Sequence, residues 1–143
     1  MRKSMLVIAL CMLSLVTFGQ MIKEKEVPKI IRKALYEKFP GAKEVKWDKE
    51  QKNYEASFDV NKVDISMLLN SEGKIVETEV EIQVSQLPKE VVNYLNVHFK
   101  NEKIKEVAKI TNSKGKITYE IEIKGNDVLF DENGNYISSN KES

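Results

Sequence analysis

Past residue 26 the chain alternates between two hydrophobic periods. After Pro28, the apolar residues Ile30, Ile31, Ala34, Leu35 and Phe39 fall on one helical face, with Lys29, Arg32, Lys33, Glu37 and Lys38 opposite. Pro40-Gly41 ends that pattern. The period then drops to 2, the signature of strands. Val45 and Trp47 alternate with charges; Tyr54, Ala56, Phe58 and Val60 share one face; Val63, Ile65, Met67 and Leu69 follow, then Val76, Thr78, Val80 and Ile82. Turn signals separate the runs at residues 51–53, 61–62 and 71–73. The same order then recurs. Pro88 precedes a helical stripe of Val91, Val92, Leu95 and Phe99, and strands follow through Ile117, Tyr119, Ile121, Ile123, Val128 and Phe130, with turns at 113–115, 125–126 and 133–134.

The two passes match residue for residue at several points. Val27-Pro28-Lys29 answers Leu87-Pro88-Lys89, Lys43-Glu44-Val45 answers Lys105-Glu106-Val107, and Tyr54-Glu55 answers Tyr119-Glu120. The offset drifts between roughly 60 and 65 residues, as loop changes after a duplication would produce, and each copy must be one supersecondary unit. The fold class expected is α+β, with two tandem units, each one helix packed on an antiparallel sheet of about four strands. A lone unit of about 60 residues buries too little surface to be stable, so the copies are expected to share a core or a continuous sheet. Trp47, the only tryptophan, shares a face with Val45 and is expected at least half buried near Leu35 or Phe39.

The N-terminus stands apart. Arg2 and Lys3 precede an apolar or small-residue run from Met5 to Val16, and Thr17-Phe18-Gly19 supplies small residues for a cleavage site. That run of about 12 residues falls short of the ~20 a membrane span needs. The organisation expected is a signal peptide over residues 1–19 cleaved after Gly19, a lead-in over 20–26, a first helix-plus-sheet repeat over 27–84, a second over 85–139, and a tail over 140–143. The location expected is periplasmic or secreted, with no stable membrane anchor after cleavage. Cys11, the only cysteine, leaves with the signal, so the exported chain has no thiol and no disulfide. The formal charge is +1 and becomes −1 without Arg2 and Lys3, which leaves no electrostatic footprint for nucleic acid.

The corner Phe39-Pro40-Gly41-Ala42-Lys43, the strand Val45-Lys46-Trp47, the pair Tyr54-Glu55, the Leu-Pro restart and the closing turn Leu129-Phe130-Asp131 to Gly134 resemble the exported PepSY-like proteins of Gram-negative bacteria. The resemblance covers roughly residues 27 to 138. It implies a β-lactamase-inhibitor-protein-like fold, with tandem helix-plus-four-strand units whose sheets form a concave surface. The second copy departs from it, lacking Pro-Gly and carrying Lys109 or Ile110 where Trp47 would align. One architecture hosts many functions, so the resemblance does not imply β-lactamase inhibition.

Catalytic chemistry finds little purchase. His98 is the only histidine and is expected at the surface or its boundary with the core. Ser71-Glu72-Gly73-Lys74 and Ser138-Ser139-Asn140-Lys141 spell S-x-x-K, but in a predicted turn and a predicted tail, whereas the catalytic motif needs a helix start. Asp131-Glu132-Asn133-Gly134-Asn135 has the content of a calcium loop with its glycine at the wrong position, and reads as a hairpin turn. No phosphate-binding glycine motif is present, and no cofactor or metal is expected. Strand alternation does place Glu55, Asp59, Asp64, Glu77, Glu79 and Glu81 together on the outward face of the first copy, while the second mixes Lys116 and Lys124 with Glu120 and Glu122. The function expected is an exported, non-catalytic binding or inhibitory module. It would present a sheet surface to a protein or peptide, basic if these six carboxylates are what it meets. The alternatives are a periplasmic small-ligand or cation-binding protein and a carboxylate-dependent hydrolase.

Overall fold

The structure, a computed structural model, describes residues 19–141. In chain order the elements are β1 (Gln20–Ile22), α1 (Lys29–Lys38), β2 (Lys43–Glu50), β3 (Asn53–Val60), β4 (Val63–Leu69), β5 (Ile75–Glu81), α2 (Lys89–His98), β6 (Ile104–Asn112), β7 (Ile117–Ile123), β8 (Asn126–Asp131) and β9 (Tyr136–Lys141), with 3-10 turns at Glu24–Glu26 and Val84–Gln86. The strands form one nine-stranded antiparallel sheet in sequence order. The molecule is therefore α+β, two helices on a single sheet. Separate four-strand sheets are not what forms: β5 pairs with β6, residues 77–81 against 108–112, and joins the two halves. The pairing covers the row of backbone groups that β5 would otherwise leave unpaired at an edge.

Both helices begin just after a proline. The carbonyl of Pro28 accepts from the N–H groups of Ile31 and Arg32, and that of Pro88 from Val91 and Val92. A residue with no N–H costs nothing at that point. Both helices end where the N–H of a phenylalanine donates to a leucine four residues back, Phe39 to Leu35 and Phe99 to Leu95. In the second copy Asn101, at φ +64°, turns the chain where the first has Pro-Gly; asparagine tolerates that left-handed conformation better than most residues.

One apolar cluster lies under each helix. Ile31 and Leu35 pack on Trp47, Ala56, Met67 and Leu69, and Val91 and Leu95 on Val107, Ile121, Val128 and Phe130. Trp47 is 1% exposed and shares its cluster with Leu35 and Phe39, as its strand position predicts. The residue in its place in the second copy is Val107, not Lys109 or Ile110. Trp47 pairs with Ala56 and Val107 with Ile121, so a large-small pair is replaced by two of middle size. The alignment slipped because the β6–β7 hairpin is longer than the β2–β3 hairpin, both in its connection, residues 113–116 against 51–52, and in the strand arms on either side.

Three further expectations are corrected. Ile30, placed in the buried stripe, is 56% exposed, because its neighbour Ile31 takes the sheet-facing direction. The solvated lead-in contains β1, which pairs with β2 from Gln20 against Lys49 to Ile22 against Trp47. The tail is shorter than expected, since Asn140 and Lys141 belong to β9 and pair with Asp127 and Asn126. The apolar run of the expected signal peptide lies outside the described residues, as do residues 142–143.

Candidate functional site

Strand alternation sorts the sheet into two faces. Tyr54, Ala56 and Phe58 on β3 and Ile65, Met67 and Leu69 on β4 pack in the cluster under α1. Glu55, Ser57 and Asp59, with Asp64, Ser66 and Leu68, take the opposite side. A bulge between β4 and β5 pairs Leu69 with Ile75 but Leu68 with Glu77, which carries Glu77, Glu79 and Glu81 onto that same helix-free side. The six carboxylates named from the sequence therefore do share one face.

The acidic set continues into the second half, which the sequence reading underestimated. Glu79 pairs with Ile110, Glu81 with Ala108, Ala108 with Glu120, Glu106 with Glu122, Glu120 with Leu129 and Glu122 with Asp127. Lys116 and Lys124, expected among them, lie instead outside the strands, in the connections on either side of β7. Lys124 Nζ is 3.1 Å from Glu102, and Lys105 bonds Glu122. The missed residues are Glu106 and Asp127. Running the alternation of β7 back across β6 would have found Glu106.

The face is not the uniformly solvated surface the alternation suggests. Asp59 and Glu81 are exposed and Asp64 and Glu77 half-buried, but Glu55, Glu79 and Glu120 are buried, Glu79 to 2% exposure. They lie among Ser66, Leu68, Ala108, Ile110 and Leu129, also buried. The Ser66 hydroxyl donates to Glu55 Oε1 at 2.7 Å. Oε2 of Glu79 and Oε2 of Glu120 are buried without a hydrogen-bond partner, as is Oε1 of Glu77.

Burial disfavours the charged form of a carboxyl, and like charges add to the effect. Glu79 is pushed up to about 9, first by desolvation and then by Glu120, Glu106, Glu77 and Glu55. Glu120 is pushed up to about 8 by desolvation and then by Asp127, Glu106, Glu77 and Glu122. Glu106 rises to about 7 by burial and its acidic neighbours. Glu55 also rises to about 7, mostly by burial, against the pull of the Ser66 hydrogen bond. Burial thus favours the protonated form at the centre of the face, most strongly at Glu79 and Glu120. Its negative potential is weaker than a count of acidic residues implies.

The other candidate motifs take ordinary places. Ser71 to Lys74 forms a turn held by the Asn70 side chain, which accepts from the N–H groups of Glu72 and Lys74. Ser138 and Lys141 lie three apart on β9 and so point to opposite faces. The Asp131 carboxylate accepts from the N–H groups of Asn133 and Asn135, closing a hairpin turn on itself. His98 is exposed and stacks on Tyr94, with ring centroids 4.0 Å apart. Among the described residues no three His, Cys, Asp or Glu side chains converge as metal ligands, and no helix is long and apolar enough to cross a membrane.

Residues 18–77 and again residues 70–138 match the family described as "Putative beta-lactamase-inhibitor-like, PepSY-like". Among solved structures, a protein of Bacteroides eggerthii described as "putative periplasmic" superposes with a TM-score of 0.75 at 17% identity, covering 80% of this chain and 88% of that one. A DUF2874 family protein of Bacteroides uniformis gives 0.72 at 19% identity, over 80% and 88% of the two chains. A BLIP-like protein of Bacteroides fragilis gives 0.62 at 20% identity, over 80% and 85%. At these identities the likeness is one of fold. No curated protein matches.

Proposed function

Because this chain belongs to the PepSY-like, beta-lactamase-inhibitor-like family, we propose that it is an exported, non-catalytic binding or inhibitory module built as two fused helix-on-sheet units. The helix-free face of its sheet meets a protein or peptide partner. The observation that carries this reading is the composition of that face. Neither helix cluster uses it, and it combines buried apolar side chains, Leu68, Ile110 and Leu129, with carboxyls whose hydrogen-bonding capacity is unspent. Buried carboxyl oxygens left without a donor call for one from a partner. Export follows from the short apolar leader and is supported by the periplasmic descriptions of structurally similar proteins.

The test is site-specific photo-crosslinking in the producing bacterium. A crosslinking residue at Ser57 or Thr118, both on the helix-free face, should yield a discrete adduct, and one at Lys33 on the outer side of α1 should not. Adducts from Lys33 alone, or none from the sheet positions, would overturn the reading.

One observation favours a second reading. Carboxyls with raised pKa are what acid-base catalysis uses, so a carboxylate-dependent hydrolase is the alternative. Such sites hold one carboxyl protonated and its partner ionised, whereas Glu79 and Glu120 are both pushed up. Binding without turnover is therefore the better fit.

A further inference from the structure

Glu79 and Glu120 stand on the two strands that flank β6, and the β6 residues between them are Ile110 and Ala108. Strands about 4.8 Å apart put the two backbones about 10 Å from one another, and the methyl group of Ala108 leaves room between the side chains. A carboxyl buried here needs a reason. Leaving a buried polar group unsatisfied forfeits its hydration with nothing in return, and Leu68, Ile110 and Leu129 show that the same face accepts apolar residues readily. A role internal to the fold would pair the two heads, as Ser66 pairs with Glu55. Instead both Oε2 atoms remain unpartnered.

The surroundings say what would satisfy them. Glu79 is faced by Glu77 on its own strand, Glu55 on β3, Glu106 on β6 and Glu120 on β7, and Glu120 by Glu106, Glu122 and Asp127. A cation near this set, Lys105, is bonded to Glu122. Donors that carry positive charge are what such a ring selects.

We propose that the helix-free face receives a cationic peptide segment, whose lysine or arginine heads bond the unpartnered Oε2 atoms of Glu79 and Glu120. This rests on the binding-module reading and names the chemistry of its partner. Binding expels protons: each carboxyl ionises as the cationic head arrives, and its proton passes to the buffer.

The probe is an eight-residue peptide alternating lysine and leucine with blocked ends, titrated calorimetrically at pH 7 in two buffers of different ionisation heat. Wild type should bind it with proton release. Glu79→Gln and Glu120→Gln should each bind at least about tenfold more weakly, a loss of ~1.4 kcal/mol, and release fewer protons. Asp59→Asn, at the rim, should lose less than about threefold, as screened surface charges do. Replacing the peptide's lysines by acetyl-lysine should weaken binding to wild type.

No binding by wild type, equal binding by both Gln variants, or equal binding of the acetyl-lysine peptide would overturn the proposal. If one Gln variant does not fold, the other and the acetyl-lysine peptide decide. Crosslinks from Ser57 and Thr118 that persist while the probe fails would sink this inference and leave the binding-module reading standing. Probe binding without crosslinks would do the reverse.

Discussion

Glu79 occupies the fifth strand of nine, on the side of the sheet that neither helix cluster uses. Its carboxyl, with those of Glu120, Glu106 and Glu55, binds a proton more tightly in the folded chain than at the ordinary value of 4.5. Between pH 4.5 and about 9 the folded state therefore holds more protons than the unfolded state. By linkage, stability is fully present below that window and is lost as pH rises through it. A difference of one pKa unit corresponds to about 1.4 kcal/mol, so the melting temperature should fall by several degrees from pH 5 to pH 9. Glu79→Gln, which stays neutral throughout, should flatten that decline and leave the variant at least as stable as wild type at pH 9. Thermal unfolding across the range checks both. A melting temperature that climbs from pH 5 to pH 9 would show that these carboxyls are ionised in the folded protein.

At the scale of elements, the turns after β4 and β8 do more than reverse the chain. Each is closed by an Asx side chain, Asn70 or Asp131, and each leans on the start of a helix through its glycine. A Cβ on Gly134 would meet Glu90 Cβ at 2.7 Å and the Val91 nitrogen at 3.3 Å; on Gly73 it would meet the Ile30 carbonyl oxygen at 3.1 Å. Gly115, in the turn after β6, has the same φ of +78° as Gly73 but nothing within 4 Å. Gly115→Ala thus isolates the cost of a left-handed alanine, about 1 kcal/mol. Gly134→Ala should cost that plus the displacement of α2 from the turn, at least about 1 kcal/mol more. Denaturant midpoints of the two variants give the comparison. Equal losses would mean that the helix shifts freely and that the turn does not hold it.

At the scale of the whole molecule, two apolar clusters share one sheet. The boundary between halves carries five backbone pairings from Glu77 with Asn112 to Glu81 with Ala108, extended by the N–H of Ile82 to the carbonyl of Val107 and of Ser113 to Val76. Val80 packs under α1 and Ile82 under α2, so β5 and the residue after it serve both cores. Cutting after residue 84 would expose the edge of β5 and wet Glu79. Each half is also near the lower size limit for independent folding. Residues 20–143 should therefore unfold in one calorimetric transition, with the fragment 20–84 markedly less stable. Two separate transitions, each reproduced by its isolated half, would show that the shared strand does not couple the cores.

What the sequence determined by itself is whatever short-range periodicity controls. Alternation in β3, β4 and β5 put Glu55, Asp59, Asp64, Glu77, Glu79 and Glu81 on one face, and prolines 28 and 88 marked both helix starts to within a residue. The matching motifs of the two copies also pointed to the family that the chain belongs to. Periodicity has no reach across strands. It could not show that β5 pairs with β6, and so could not bring Glu79 and Glu120 to the same region from positions 41 residues apart. Nor could it separate Ile30 from Ile31, whose exposures are 56% and 0%, because only docking on the sheet selects the angle of a helix. Burial decided the chemistry of the face, and burial is a property of the assembled sheet. The same residue type that reads as solvated charge along a strand becomes a protonated, unpartnered acid once its neighbours close around it.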